Sequence, residues 1–137
     1  MKRLAALAVL VMCVVPAAAL ATGSATTTLK AKLLGTVEVP KGSPTGKGTA
    51  TITITGSKVC WKFTFSGIDK PLASHIHKAP AGKAGPIVVP FGGAFKSSGC
   101  TTAPSAGLAK AIAAHPSAYY VNIHTKKYPA GAIRGQL

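Results

Sequence analysis

The chain has 137 residues, with 16 Lys and Arg against two acids, and a formal net charge of +14. Its two carboxylates, Glu38 and Asp69, lie on separate segments and leave nothing for hydrolysis by a carboxylate pair. Lys126-Lys127 is the only basic doublet after the first residues, so the charge reads as diffuse and solubilising. Basic residues neither clustered nor interleaved with aromatics argue against nucleic-acid binding.

Lys2 and Arg3, an apolar run over residues 4–15 and the small-residue ending Ala19-Leu20-Ala21 form a signal-peptide pattern over residues 1–21. The run is shorter than the roughly 20 apolar residues that a membrane span needs, and no second run follows, so no span is expected after cleavage. Cys13 is preceded by Met12 inside the apolar run, which argues against a lipid anchor. The expected location is the periplasm or the exterior. Residues 22–27 read as a flexible lead-in and 28–137 as one domain, which carries two basic residues fewer than the whole chain and hence +12.

Period-two alternation dominates this domain. Residues 28–39 alternate around Leu29, Ala31 and Leu33, pass a possible bulge at Gly35 and stop at Pro40. After a turn-rich loop, 49–55 puts Ala50, Ile52 and Ile54 on one face. Gly56-Ser57 then turns a hairpin into 58–65, where Val59, Trp61, Phe63 and Phe65 must face the core and Cys60 the outside. In 72–77, Leu72 and Ile76 take the core side and His75 and His77 the outer side. Residues 87–89 read as a short buried strand and 90–103 as a Gly- and Ser-rich loop. Ser105 as N-cap and Pro116 as a stop frame a short helix, with His115 as a solvent-facing residue at its end. Strands 118–124 and 131–137 close the chain, with Tyr119, Val121, Ile123, Ile133 and Leu137 inward and Asn122, His124 and Arg134 outward. Many short strands without a βαβ rhythm predict a mostly β fold, an antiparallel two-sheet β-sandwich of immunoglobulin-like or superoxide-dismutase-like kind with one short helix.

Beyond residue 21 the chain holds two cysteines, Cys60 and Cys100, and an exported chain folds where disulfides persist, so a Cys60–Cys100 bridge is expected.

Three motifs in order then carry a resemblance: Leu34-Gly35-x-x-Glu38-Val39-Pro40; His75-Ile76-His77 followed by Gly82, Gly85 and Pro86; and Tyr120-Val121-Asn122-Ile123-His124-Thr125 with Gly131-x-Ile133-Arg134-Gly135-Gln136-Leu137. Together they resemble the chordin-type (CHRD) domain, named after repeats in an extracellular antagonist of bone morphogenetic proteins. Similar single domains are found in secreted microbial proteins. The resemblance implies a fold and an extracytoplasmic setting but no single activity, and growth-factor antagonism does not transfer to a lone domain. Ala132 departs from the pattern, which usually has Glu there. Glu38, Asn122 and Arg134 are its structural motif residues, with Glu38 the expected partner of the Arg134 fork.

No nucleophile elbow, phosphate-cradling loop or zinc-protease helix is present, so the expectation is a non-catalytic binding or structural module. Two outward histidines at i and i+2 stand about 6.8 Å apart on one face, within reach of one ion. With His124 from a second strand, His75 and His77 make a candidate copper or zinc site, and metal-dependent redox activity is the one enzymatic alternative it leaves. The competing reading is that the imidazoles hydrogen-bond loop backbone and fasten residues 78–93 over the sheet. An anionic polymer or cell-surface component is a third possibility, resting on charge alone.

Overall fold

The computed structural model describes residues 23–137; the predicted signal peptide lies outside them. Eight strands run in chain order as β1 (Thr26–Leu34), β2 (Lys47–Thr55), β3 (Lys58–Ser66), β4 (Pro71–Lys78), β5 (Ile87–Pro90), β6 (Ser98–Thr102), β7 (Tyr119–Thr125) and β8 (Ile133–Gln136), with helix α1 (Ala106–Ala114) between β6 and β7. All neighbours pair antiparallel. Among the described residues no helix is long and apolar enough to cross a membrane.

The expected pair of separate sheets is not what forms. The strands make one nearly closed sheet in the order β5-β4-β7-β8-β1-β2-β3-β6. The reason is β8, which pairs with β7 along its length but is in ladder register with β1 only at Leu34↔Arg134. The sheet folds at this narrow seam, so its halves face each other as two layers would. Across the opposite gap, segment 91–97 bridges the two edges. The Phe91 and Phe95 N–H groups donate to Ser74 and Leu72 of β4, and Ser97 O accepts from Phe63 N of β3. Phe91 also stacks on Trp61 with ring centroids 4.3 Å apart.

The inward faces meet in one core containing Leu33, Ile52, Ile76, Val121, Ile123 and Ile133, each wholly buried. At about 1.5–3 kcal/mol per large apolar side chain, this layer supplies the main driving force for closure. Ile112 of α1 joins it, and Ser105 caps the helix as expected, its Oγ accepting from Leu108 N at 3.1 Å. His115 is exposed at the helix C-cap.

Several local expectations change; among them, the strand over 87–89 forms as β5, but Ile87 is 50% exposed and only Val89 is fully buried. The first strand begins at Thr26, two residues early, and ends at Leu34, where Gly35 opens a 3-10 turn. A Cβ on Gly35 would overlap the Ser43 backbone, so the chain turns sharply there instead of running on to Val39. Leu72 is 51% exposed because the β4 register slips between Pro71 and Ala73. Residues 98–102 form edge strand β6 rather than loop, and Cys100 pairs with Cys60 directly across it. These two cysteines are joined by a disulfide.

Candidate metal centre

Strand parity places His75 and His77 of β4 and His124 of β7 on the outward side, as expected. In register, His77 lies opposite Tyr120 and His75 opposite Asn122, so His124 sits one diagonal step from His75. One potential ligand nitrogen from each of the three histidines falls within 4.8 Å of the others.

This outward face is not open to water. The chain after His77 folds back over it, and the sheet holds it there. Arg134 donates to Lys83 O at 2.8 Å, Gln136 Nε2 donates to Ala79 O at 2.9 Å, and Gly85 N donates to the Tyr120 hydroxyl at 3.3 Å. A Cβ on Gly85 would overlap the Lys78 carbonyl, so only glycine lets the loop return this closely. His77, Asn122 and Arg134 are therefore buried although they point away from the apolar core. The loop-fastening role expected of the histidines is realised over this segment, with His77 Nδ1 donating to Gly85 O at 2.9 Å.

The same backbone contacts fix the ring protons. His77 Nδ1 meets Gly85 O and His124 Nδ1 meets Pro129 O, each at 2.9 Å, and a carbonyl only accepts. Both Nδ1 atoms therefore carry hydrogen in the neutral ring, and both Nε2 atoms present bare lone pairs. His77 Nε2 is buried without a partner. His124 Nε2 accepts from His75 Nδ1 at 3.1 Å. The Asn122 amide lies 3.0 Å from the same nitrogen. The atom at this distance is Oδ1, itself an acceptor, while Nδ2 of the same amide is buried without a hydrogen-bond partner among the described residues.

All three imidazoles are held neutral. Burial is the main cause for each. His75 is pushed down to about 4, helped by the neighbouring His124 and His77. His77 and His124 are lowered against the opposing pull of their hydrogen bonds to Gly85 and Pro129. Neutral imidazole is the form that ligates metal. Ligands about 2.1 Å from a tetrahedral ion stand ~3.4 Å apart, a separation close to the 3.1 Å of the His75–His124 edge, with the other edges within 4.8 Å.

Around this triangle lies a second layer that parity alone did not assign. Tyr120 stacks on His77 at 4.7 Å and 8°, and the Arg134 guanidinium lies 3.4 Å over the other partner in that stack, the Tyr120 ring. Tyr120 is outward by the same count as Asn122 and opposite His77 in register, which is the signal that identifies it. The expected Glu38–Arg134 pairing takes a different form. Arg134 gives its hydrogen bonds to Lys83 O and Gln136 Oε1, and acts on Glu38 through its charge. Burial pushes the Glu38 carboxyl up to about 7, opposed by Arg134, by Val39 N–H and by Asn122. Glu38 Oε1 has no hydrogen-bond partner and packs against Gly131, where a Cβ would overlap the carboxyl group.

Comparison with protein families matches the CHRD domain over residues 29–137. The chain belongs to the CHRD domain family. No curated protein and no solved structure matches it. All three motifs of the resemblance fall within the matched CHRD region. In space, two of the motif segments supply the three histidines, and the motif around Glu38 borders them through Asn122.

Proposed function

We propose that this CHRD-domain protein is an exported, non-catalytic metal-binding module that holds one copper or zinc ion through His75 Nδ1, His77 Nε2 and His124 Nε2. The observation that carries the reading is the fixed tautomers: two backbone carbonyls hold the His77 and His124 protons on Nδ1, so both Nε2 atoms are unprotonated and converge with His75, that of His77 with no partner among the described residues. Such outer hydrogen bonds orient and strengthen imidazole ligands. Three neutral nitrogen donors without a carboxylate suit copper or zinc rather than calcium or magnesium.

His75 would move its ring proton to Nε2 on loading, because its Nδ1 hydrogen is now given to His124. With Glu38 separated from the histidines by Asn122, carriage, storage or sensing of metal fits better than hydrolysis or redox catalysis. Export is supported by the disulfide and by the signal-peptide pattern of residues 1–21.

Calorimetric titration with zinc and with copper tests the reading. One ion should bind per chain. His75→Ala should weaken binding at least 100-fold while the metal-free protein melts like the parent, since His75 holds no loop backbone. Unchanged binding in His75→Ala, or a variant that only loses stability, would leave the histidines as loop fasteners alone.

A further inference from the structure

The lysines that look scattered along the sequence are gathered by the fold. Lys30, Lys32, Lys47, Lys58 and Lys62 all point outward from β1, β2 and β3, and all are exposed. The register makes rows of them: Lys30↔Thr51↔Lys62↔Ser98 runs across four strands, with Lys32↔Thr49↔Thr64 beside it. Apart from Leu34 at the seam, every outward position on β1, β2, β3 and β6 is Thr, Ser, Lys or a disulfide cysteine. Side chains stand about 6.8 Å apart along a strand and about 4.8 Å apart between strands, so Lys30 and Lys62 are about 10 Å apart. A depression of about 850 Å³ runs over three adjacent strands, with the outward Lys30, Lys32, Lys47, Thr49, Thr51 and Thr64 in its lining beside Ala31, Ala50 and Phe65 of the inward set. Neither acid is on this face: Glu38 is buried against Gly131, and Asp69 lies in the turn before β4.

We infer that this face docks an extended, carboxylated polysaccharide. Ammonium groups in an acid-free field attract a polyanion. The threonine hydroxyls between them both donate and accept, which matches the hydroxyls of a sugar chain. The same features disfavour other polyanions. Trp61, Phe63 and Phe65 all point inward, so nothing on the face stacks with bases. No apolar side chain stands out from its centre to enter a lipid layer. Arginine, whose planar fork suits phosphate, is absent from the face, and Arg134 is buried elsewhere. Lysine's compact point charge is enough for single carboxylates. This surface is separate from the histidine triangle and does not depend on metal.

The test is binding of the full chain to polygalacturonate at low and at physiological salt, with neutral dextran as the blank. Lys30→Ser/Lys32→Ser/Lys62→Ser should lose at least tenfold in affinity. Lys70→Ser/Lys110→Ser/Lys126→Ser removes the same charge from elsewhere and should lose less than twofold, with both variants melting like the parent. His75→Ala should bind polygalacturonate normally whatever it does to metal. Equal losses in the two triple variants would reduce the face to diffuse charge. Tighter binding to single-stranded DNA or to phosphatidylserine vesicles than to polygalacturonate would overturn the assignment to a carboxylated glycan.

Discussion

The outward side chains of β4, β7 and β8 and those of β1, β2, β3 and β6 arise from the same period-two alternation, yet a loop covers the first set and, among the described residues, none covers the second. Apart from Ala73, the outward residues on β4, β7 and β8 beyond the Pro71 irregularity are His, Asn, Tyr, Arg and Gln, groups with several hydrogen-bonding atoms and flat surfaces, and a loop can be held down on them. On the other half they are Thr, Ser and Lys, which offer short hydroxyls or mobile charges and hold no loop. Being outward on a sheet therefore does not make a residue a surface residue. What decides is whether its neighbours can satisfy the backbone of a covering segment.

Four experiments bear on this contrast. The largest effect belongs to the bare half, whose one covalent tie is the disulfide. Closing residues 60–100 limits the unfolded chain, so Cys60→Ala/Cys100→Ala should lose about 4 kcal/mol in urea unfolding. A loss below about 1 kcal/mol would mean that pairing alone holds β6.

On the covered half, Arg134→Ala should cost about 3 kcal/mol, because it strips the Lys83 carbonyl of its donor and removes the stack on Tyr120. Arg134→Lys should recover part of this, since an ammonium cannot serve both acceptors and the ring. Parent-like melting of both variants would show that the loop is held without the guanidinium.

The pH dependence is next in size. The histidine pKa values are lowered on folding, so between about 6.5 and 4 the unfolded chain binds more protons, and stability of the metal-free protein should fall as pH drops through this window. Glu38 acts in the opposite sense. Its folded pKa of about 7 lies above 4.5, so the stability it contributes when protonated is lost as pH rises toward 7. Melting temperature should peak near pH 6.5, and Glu38→Gln should remove the decline above it; an unchanged profile would mean that Glu38 is not protonated in the fold. Zinc affinity should weaken at a lower pH than at a site of unshifted imidazoles, because burial lowers all three rings.

The smallest effect returns to the bare half. Thr51→Val touches only its neighbours on the open face and should change stability by less than about 0.5 kcal/mol. A larger change would mean that the threonine rows contribute to the fold itself.

Much of this was legible in the sequence, and for definite reasons. Alternation in TATITIT and KVCWKFTFS fixed both the strands and their inner faces, because a one-residue slip would turn every Ile and aromatic outward. The grouping of His75, His77 and His124 followed from the same parity. Strand β6 was hidden because an edge strand need not alternate in hydropathy: its inward Gly99 lies against the Trp61 ring, where a Cβ would not fit, and its outward residues are Ser98, Cys100 and Thr102. The single sheet was hidden because it hangs on one pair, Leu34↔Arg134, between residues at opposite ends of the chain. The covering loop and the gathered lysines were hidden too, since both depend on which strands become neighbours.

That one pair also orders the making of the molecule. β1 hydrogen-bonds β2 within a hairpin-like stretch, but its other neighbour, β8, is the eighth strand in chain order. The hairpins on either side can form from local contacts, while the seam must wait for residues 133–136 to arrive from 100 positions away, the slowest kind of contact for a chain to find. Arg134, whose guanidinium clamps the loop over the histidines, sits in that last strand. The three histidines are therefore enclosed only after β8 has docked, and a chain in which only the earlier strands have paired would carry them without the Arg134 clamp on the covering loop.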